Sequence, residues 1–305
     1  MKKINTVGII GLGALGIMYA KHFTEQMGKD SVRIVADKNR IAKYRNEGIY
    51  CNGQKCDFQY VSDEDVCEPV DLLLFTVKNN DLHEAIKIAN NQVGENTIIL
   101  SLLNGITSEE IIGKTYGSEK LLYSVAQGMD ASKIGNRLTF VNLGFLSIGE
   151  ENNQLNDKLQ SVAAFFDQTN TPYEIPKNIK HKLWSKLMLN TGVNTTVAIF
   201  ETNYGGIQVS GTPRDTVISA MKEVIIIACK EGIALQEQEI DYWLQIIDSL
   251  NPNGMPSMRQ DTMSRRNTEI DLFSGTIITL GRKHGIPTPV NDFLFDRIKK
   301  LEANY

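Results

Sequence analysis

An α/β domain built on a parallel sheet, followed by an all-α domain, is what three features of this 305-residue sequence predict. Short, wholly apolar runs alternate with helical patterns through the first half, and a glycine-rich turn joins the first run to the first helix. Strand signals then stop around residues 172–176, and helical periods take over. The boundary falls near Pro176, giving domains 1–176 and 177–305.

Residues 7–10 (VGII) form a strand that enters Gly11, Leu12, Gly13, Ala14, Leu15 and Gly16, and Ile17, Ala20 and Phe23 continue at helical spacing. Residues 32–36 make a second strand, ending at Asp37. The runs 71–78 and 97–103 read as strands buried on both faces. Asn104-Gly105 closes the latter, ahead of a helix from Thr107 with Glu109 and Glu110 in its first turn. Strands at 138–141 and 146–149 and a helix near 155–166 complete the first domain. Long helices follow at 179–200, 213–232, 236–250 and 268–284, the last stopped by His284-Gly285 and Pro287.

Charge narrows the partners. The chain carries 32 basic and 36 acidic residues, a formal net charge of -4, with no long run of either sign. That argues against nucleic acid or an anionic membrane as main partner. No run of about 18 apolar residues and no secretory leader pattern is present, so the expectation is a cytoplasmic protein without a membrane span. Cys51, Cys56, Cys67 and Cys229 are irregularly spaced and the four histidines scattered, so neither a metal site nor a disulfide framework is expected. Cys51 and Cys56 flank Asn52-Gly53 and should sit on neighbouring strands. The apolar helix at 217–229 could bury itself in the core or pair two copies as a homodimer.

The glycine motif carries the strongest chemical signal. Gly11 permits a tight turn, Gly13 lets backbone approach a pyrophosphate, and Gly16 allows close helix–strand packing, while the helix start offers unpaired N–H donors. Asp37, at the end of the next strand, completes a dinucleotide-binding pattern. A carboxylate there accepts from ribose hydroxyls and repels a 2′-phosphate, which favours NAD. Lys38 and Arg40 stand close enough to serve a phosphate instead, so NADP remains the alternative.

A second signal lies in residues 183–194, LWSKLMLNTGVN. At about 100° per residue, Lys186, Asn190 and Asn194 share one stripe with Leu183 and Leu187. Burying three polar groups without partners costs on the order of 1–3 kcal/mol each, more for the charge. Either an internal hydrogen-bond network satisfies them or a ligand does. A lysine suits a carbonyl ligand, because it can stabilise a developing alkoxide and donate a proton. Ser257, just after a turn, and Glu269 with Asp271 near a helix start could complete such a pocket, or could be a cap and macrodipole carboxylates.

In order along the chain, GLGALG (11–16), LLLFTVKNND (72–81), LLNGI (102–106), LWSKLMLNTGVN (183–194), PSMRQD (256–261), RRNTEID (265–271) and HGIPTP (284–289) resemble the ketopantoate reductase (2-dehydropantoate 2-reductase) family over essentially the whole chain. The resemblance implies a Rossmann domain, an all-helical domain and a site in the cleft between them. It implies that Lys186 is the general acid on a keto oxygen, that Asn190, Asn194 and Ser257 hold substrate, and that Glu269 supports the site. Lys78 and Asn104 would contact the coenzyme, Asn104 also the substrate. The product would be a D-2-hydroxy acid made from a branched or aromatic 2-keto acid. NADPH-using members usually carry a basic residue where this chain has Asp37, whereas similar D-mandelate-type D-2-hydroxyacid dehydrogenases can use NAD. A non-catalytic dinucleotide sensor is the remaining alternative.

Overall fold

The computed structural model describes Lys2–Tyr305. The chain divides into two compact units, one reaching to Ile179 and the other spanning Lys180–Tyr305.

The first unit is organised by eight strands: β1 (Val7–Ile10), β2 (Val32–Ala36), β3 (Gln59–Ser62), β4 (Leu72–Phe75), β5 (Ile98–Ser101), β6 (Leu121–Gln127), β7 (Phe145–Gly149) and β8 (Tyr173–Glu174). Their order is β8-β7-β6-β5-β4-β1-β2-β3. Strands β1 to β6 run parallel, and β7 pairs antiparallel with β6. The 3-2-1-4-5-6 order is the doubly wound arrangement, whose switch point lies between β1 and β4. All four residues of β1 and of β4 are buried, because both sheet faces are covered. One face carries Ile9, Leu72, Leu74 and Leu100 against Ile17, Phe23 and Phe165; the other carries Ile10, Leu73 and Phe75 against Leu82, Ile86 and Ile112.

Two strands escape the apolar-run reading. β3 (QYVS) and β6 (LLYSVAQ) mix polar with apolar residues, β3 because it is an edge strand and β6 because Ser124 bonds the buried Ser101 carbonyl. The 138–141 expectation lands in a separate small sheet, where Arg137–Thr139 pairs with Tyr50–Cys51. Asn52 and Gly53 take φ of 48° and 80°, a mirror-image hairpin turn, with Cys51 buried on the first strand and Cys56 just past the second.

The second unit is helical: α6 (Ile179–Leu189, whose first residue closes the preceding unit), α7 (Thr195–Ile199), α8 (Gly205–Gln208), α9 (Thr212–Lys230), α10 (Gln238–Ser249), α11 (Ser257–Met263), α12 (Thr276–His284) and α13 (Pro289–Glu302). In the first unit α1 is Ala14–Met27, α2 Lys38–Glu47, α3 Leu82–Ile88, α4 Ser108–Tyr116 and α5 Asp157–Gln168. The expected helix at 179–200 is not uniform. Its centre, Asn190–Asn194, is one wide π turn, and a second π turn, Asp271–Gly275, precedes α12. Helix α9 is the core: Val217, Ala220, Met221 and Val224 are fully buried, with Ile226 half exposed. Glu223 on α9 caps α13 from outside, accepting the N–H groups of Val290 and Asn291 at 2.8 and 2.9 Å. No helix among the described residues is long and apolar enough to cross a membrane.

Candidate active site

In the first unit the motif residues gather at the carboxyl ends of adjacent parallel strands, where doubly wound sheets place their ligands. Residues 11–16 follow β1, Asp37 follows β2, Lys78 follows β4 by three residues and Asn104 follows β5 by three. Gly11 has φ 95°, and a Cβ there would lie 2.6 Å from Val77 Cγ1. At Gly16 a Cβ would lie 1.9 Å from the Gly11 carbonyl oxygen, so helix and turn touch in a way only glycine allows. Thr76, unremarked in the sequence, braces this turn: its Oγ1 donates to the Ile10 and Gly11 carbonyls at 2.9 and 2.6 Å. A polar residue ending the apolar run LLLF was the available signal.

The cradle suits a pyrophosphate. No side chain caps α1 at Gly13, and the first intrahelical bond runs from Ile17 N–H to Gly13 at 3.1 Å. The N–H groups of Ala14, Leu15 and Gly16 therefore have no helical acceptor and are available to an anion. A Cβ at Gly13 would meet only the Thr76 carbonyl oxygen, at 3.3 Å, so that side of the turn is open.

Asp37 caps α2, accepting the Arg40 N–H at 2.8 Å. The two basic candidates beside it are engaged: Lys38 with Glu64 at 2.6 Å, and Arg40 with Asp37 at 3.4 Å and Asp81 at 3.9 Å. Glu64 holds the Lys38 ammonium above the usual lysine range.

In the second unit Lys186 lies in the last turn of α6, and the π turn carries Asn190 and Asn194 directly after it. A π turn closes i→i+5 bonds and is wider than an α turn, so the ideal stripe read from the sequence is re-spaced at Asn194. Both asparagines are buried, at 7 % and 8 % exposure. Lys186 is part-buried, and loss of water around its ammonium pushes its pKa down to about 8, against the raising effect of the Glu269 carboxylate. Glu269 sits in the turn that leads into the second π turn, and the two π turns pack together. Ser257 is the first residue of α11, exposed, on a helix that packs against the first π turn. Asp271 is committed elsewhere, to Lys299 at 2.7 Å. Gly192 allows the π turn to approach α9: a Cβ would lie 2.8 Å from Met221 Cγ and 3.0 Å from the Val217 carbonyl oxygen.

A glycine cradle at the switch point of a doubly wound sheet, joined to a helical unit with a dehydrated lysine, defines a class of two-unit dinucleotide-linked proteins. Family comparison makes this specific. Residues 7–153 match the family described as Ketopantoate reductase PanE/ApbA, and residues 178–302 match Ketopantoate reductase PanE/ApbA C terminal. The chain belongs to the ketopantoate reductase family, NAD(P)H-dependent oxidoreductases acting at a CH–OH group. A 2-dehydropantoate 2-reductase of Shigella flexneri is 31% identical over 304 residues, covering 98% of this chain and 96% of its own. One from Aquifex aeolicus is 26% identical over 300 residues, covering 96% of each. In fold, the chain is similar to a D-mandelate dehydrogenase solved with NADH and anilino(oxo)acetate, at a TM-score of 0.87 and 23% identity over 98% of this chain and 99% of that one.

Proposed function

We propose that this protein reduces a branched or aromatic 2-keto acid to the D-2-hydroxy acid, with NADH as the preferred coenzyme. The observation that carries the reading is Lys186, poised near pH 8 beside Glu269 and followed by two buried amides.

When bound, the coenzyme supplies a hydride to the carbonyl carbon. Residues 11–16 hold its pyrophosphate by backbone N–H groups, Asp37 accepts from the adenosine ribose, and Lys78 and Asn104 extend the contact along the strand ends. Lys186 hydrogen-bonds the keto oxygen, stabilises the alkoxide and gives up its Nζ proton to it. At neutral pH a group with a pKa near 8 is mostly protonated, yet releases its proton far more readily than an ordinary lysine. Asn190, Asn194 and Ser257 orient the acid, and Glu269 keeps Lys186 charged between turnovers.

NADH is favoured because Asp37 stands where a 2′-phosphate would press on it, while Lys38 and Arg40 are held by Glu64, Asp37 and Asp81. The same feature favours a D-mandelate-type dehydrogenase over a pantothenate-pathway ketopantoate reductase, as does the likeness to a fold solved with NADH and an aryl-bearing oxo acid. Initial rates with NADH and NADPH, each against ketopantoate and phenylglyoxylate, test both choices. NADPH with ketopantoate as the best pair would overturn both; tight coenzyme binding without turnover on any keto acid would point to a sensor.

A further inference from the structure

Beyond the pair Leu100 and Leu122, β5 and β6 separate: β5 ends at Ser101 while β6 continues to Gln127. Polar side chains fill the opening. Ser124 Oγ donates to the Ser101 carbonyl. Ser108 Oγ donates to Glu109 Oε2 at 2.9 Å, and Ser101 and Ser108 share a hydrogen bond of 2.7 Å. The Leu103 N–H donates to Ser101 Oγ at 3.4 Å, the longest link. Glu109, Ser108, Ser101 and Ser124 are all buried, at 3 % exposure or less.

Donor counting gives this chain one direction. Ser108 spends its proton on Glu109, so Ser101 must donate to Ser108 and accept from Leu103. With Ser108 as the donor to Glu109, the run Leu103 N–H to Ser101 to Ser108 to Glu109 ends on an acceptor, which an ionised carboxylate provides on both oxygens.

A carboxylate in the first turn of a helix can simply face water and favour the macrodipole. Glu109 is buried instead, and among the described residues no cation pairs with it. On its own helix Lys114 pairs with Glu110 at 2.8 Å; from α5, Lys158 pairs with Glu150 at 3.1 Å and donates to the Glu119 and Leu121 carbonyls. The remaining titratable groups on this side, Glu119, Tyr123 and Glu151, are acids. Burial pushes Glu109 up to about 7.

We propose that Glu109 is a positioning residue: through Ser108 and Ser101 its carboxylate holds the turn at 102–104, and with it Asn104, in the conformation that binds coenzyme and substrate. The inference rests on the reading of Asn104 given above. An amide in place of Glu109 cannot accept on both sides, and Ser108→Ala cuts the chain while leaving the carboxyl group in place.

The test is a double-mutant cycle on steady-state kinetics. Glu109→Gln and Ser108→Ala should each raise KM for the keto acid about tenfold with kcat changed much less, and neither should add to the effect of Asn104→Ala. Wild-type KM should also rise as pH falls through about 7, and this limb should vanish in Glu109→Gln. A KM effect of equal size with and without Asn104 would overturn the positioning role, and so would an unchanged KM in Ser108→Ala, the variant that serves if Glu109→Gln does not fold. An Asn104→Ala enzyme with wild-type KM would instead overturn the reading of Asn104.

Discussion

The Arg40 guanidinium lies 3.4 Å from the Asp37 carboxylate, and the Arg40 backbone N–H donates to that carboxylate at 2.8 Å. One acid thus caps a helix and holds the cation nearest the expected ribose. Replacing Asp37 by Ser keeps an oxygen acceptor for the cap, removes the negative charge and releases Arg40. Relative kcat/KM for NADPH over NADH should rise on the order of tenfold, about 1.4 kcal/mol. An unchanged ratio would show that Asp37 does not face the ribose.

Lys186→Ala should lower kcat by roughly 10²–10⁴, the usual worth of a positioned acid. Coenzyme affinity, measured by fluorescence titration, should stay within about twofold of wild type because the cradle lies in the other unit. Equal turnover in the variant would remove Lys186 from the mechanism.

The pH dependence follows from the sign of the Lys186 shift. Reduction needs the ammonium, so its rate should fall as pH rises through about 8; oxidation of the hydroxy acid needs the neutral amine and should rise over the same range. Glu269 favours the ammonium, so Glu269→Gln should move both limbs to lower pH. A shift to higher pH would contradict the electrostatic coupling.

Much of this was readable from residue order. The glycine cradle and Asp37 depend on local backbone rules acting over about 30 residues, so spacing alone placed them at a strand end and a helix start. The π turns were not readable: Gly192, at the centre of the first, packs closely on Met221 and Val217, residues distant in sequence. Thr76 and the Glu109 chain were hidden for a related reason, since their partners come from neighbouring strands. The stripe Lys186, Asn190, Asn194 was recognised, but its geometry belongs to the wider turn. Helix 217–229 shows the same limit, for apolar periodicity does not distinguish a core helix from a docking one, and burial of Val217, Ala220 and Val224 makes it core.

Gly192 offers the sharpest test of that wider turn. A methyl group added there meets Met221 Cγ at 2.8 Å, which a flexible side chain can relieve, and the Val217 carbonyl oxygen at 3.0 Å, which a helix backbone cannot. Gly192→Ala should therefore cost about 1–3 kcal/mol, seen as a melting temperature lower by several degrees. Because the strain falls between Asn190 and Asn194, KM for the keto acid should rise while coenzyme affinity holds. Wild-type stability together with wild-type KM would mean that the turn can rewind to α geometry, and that the π turn is not what sets the two amides.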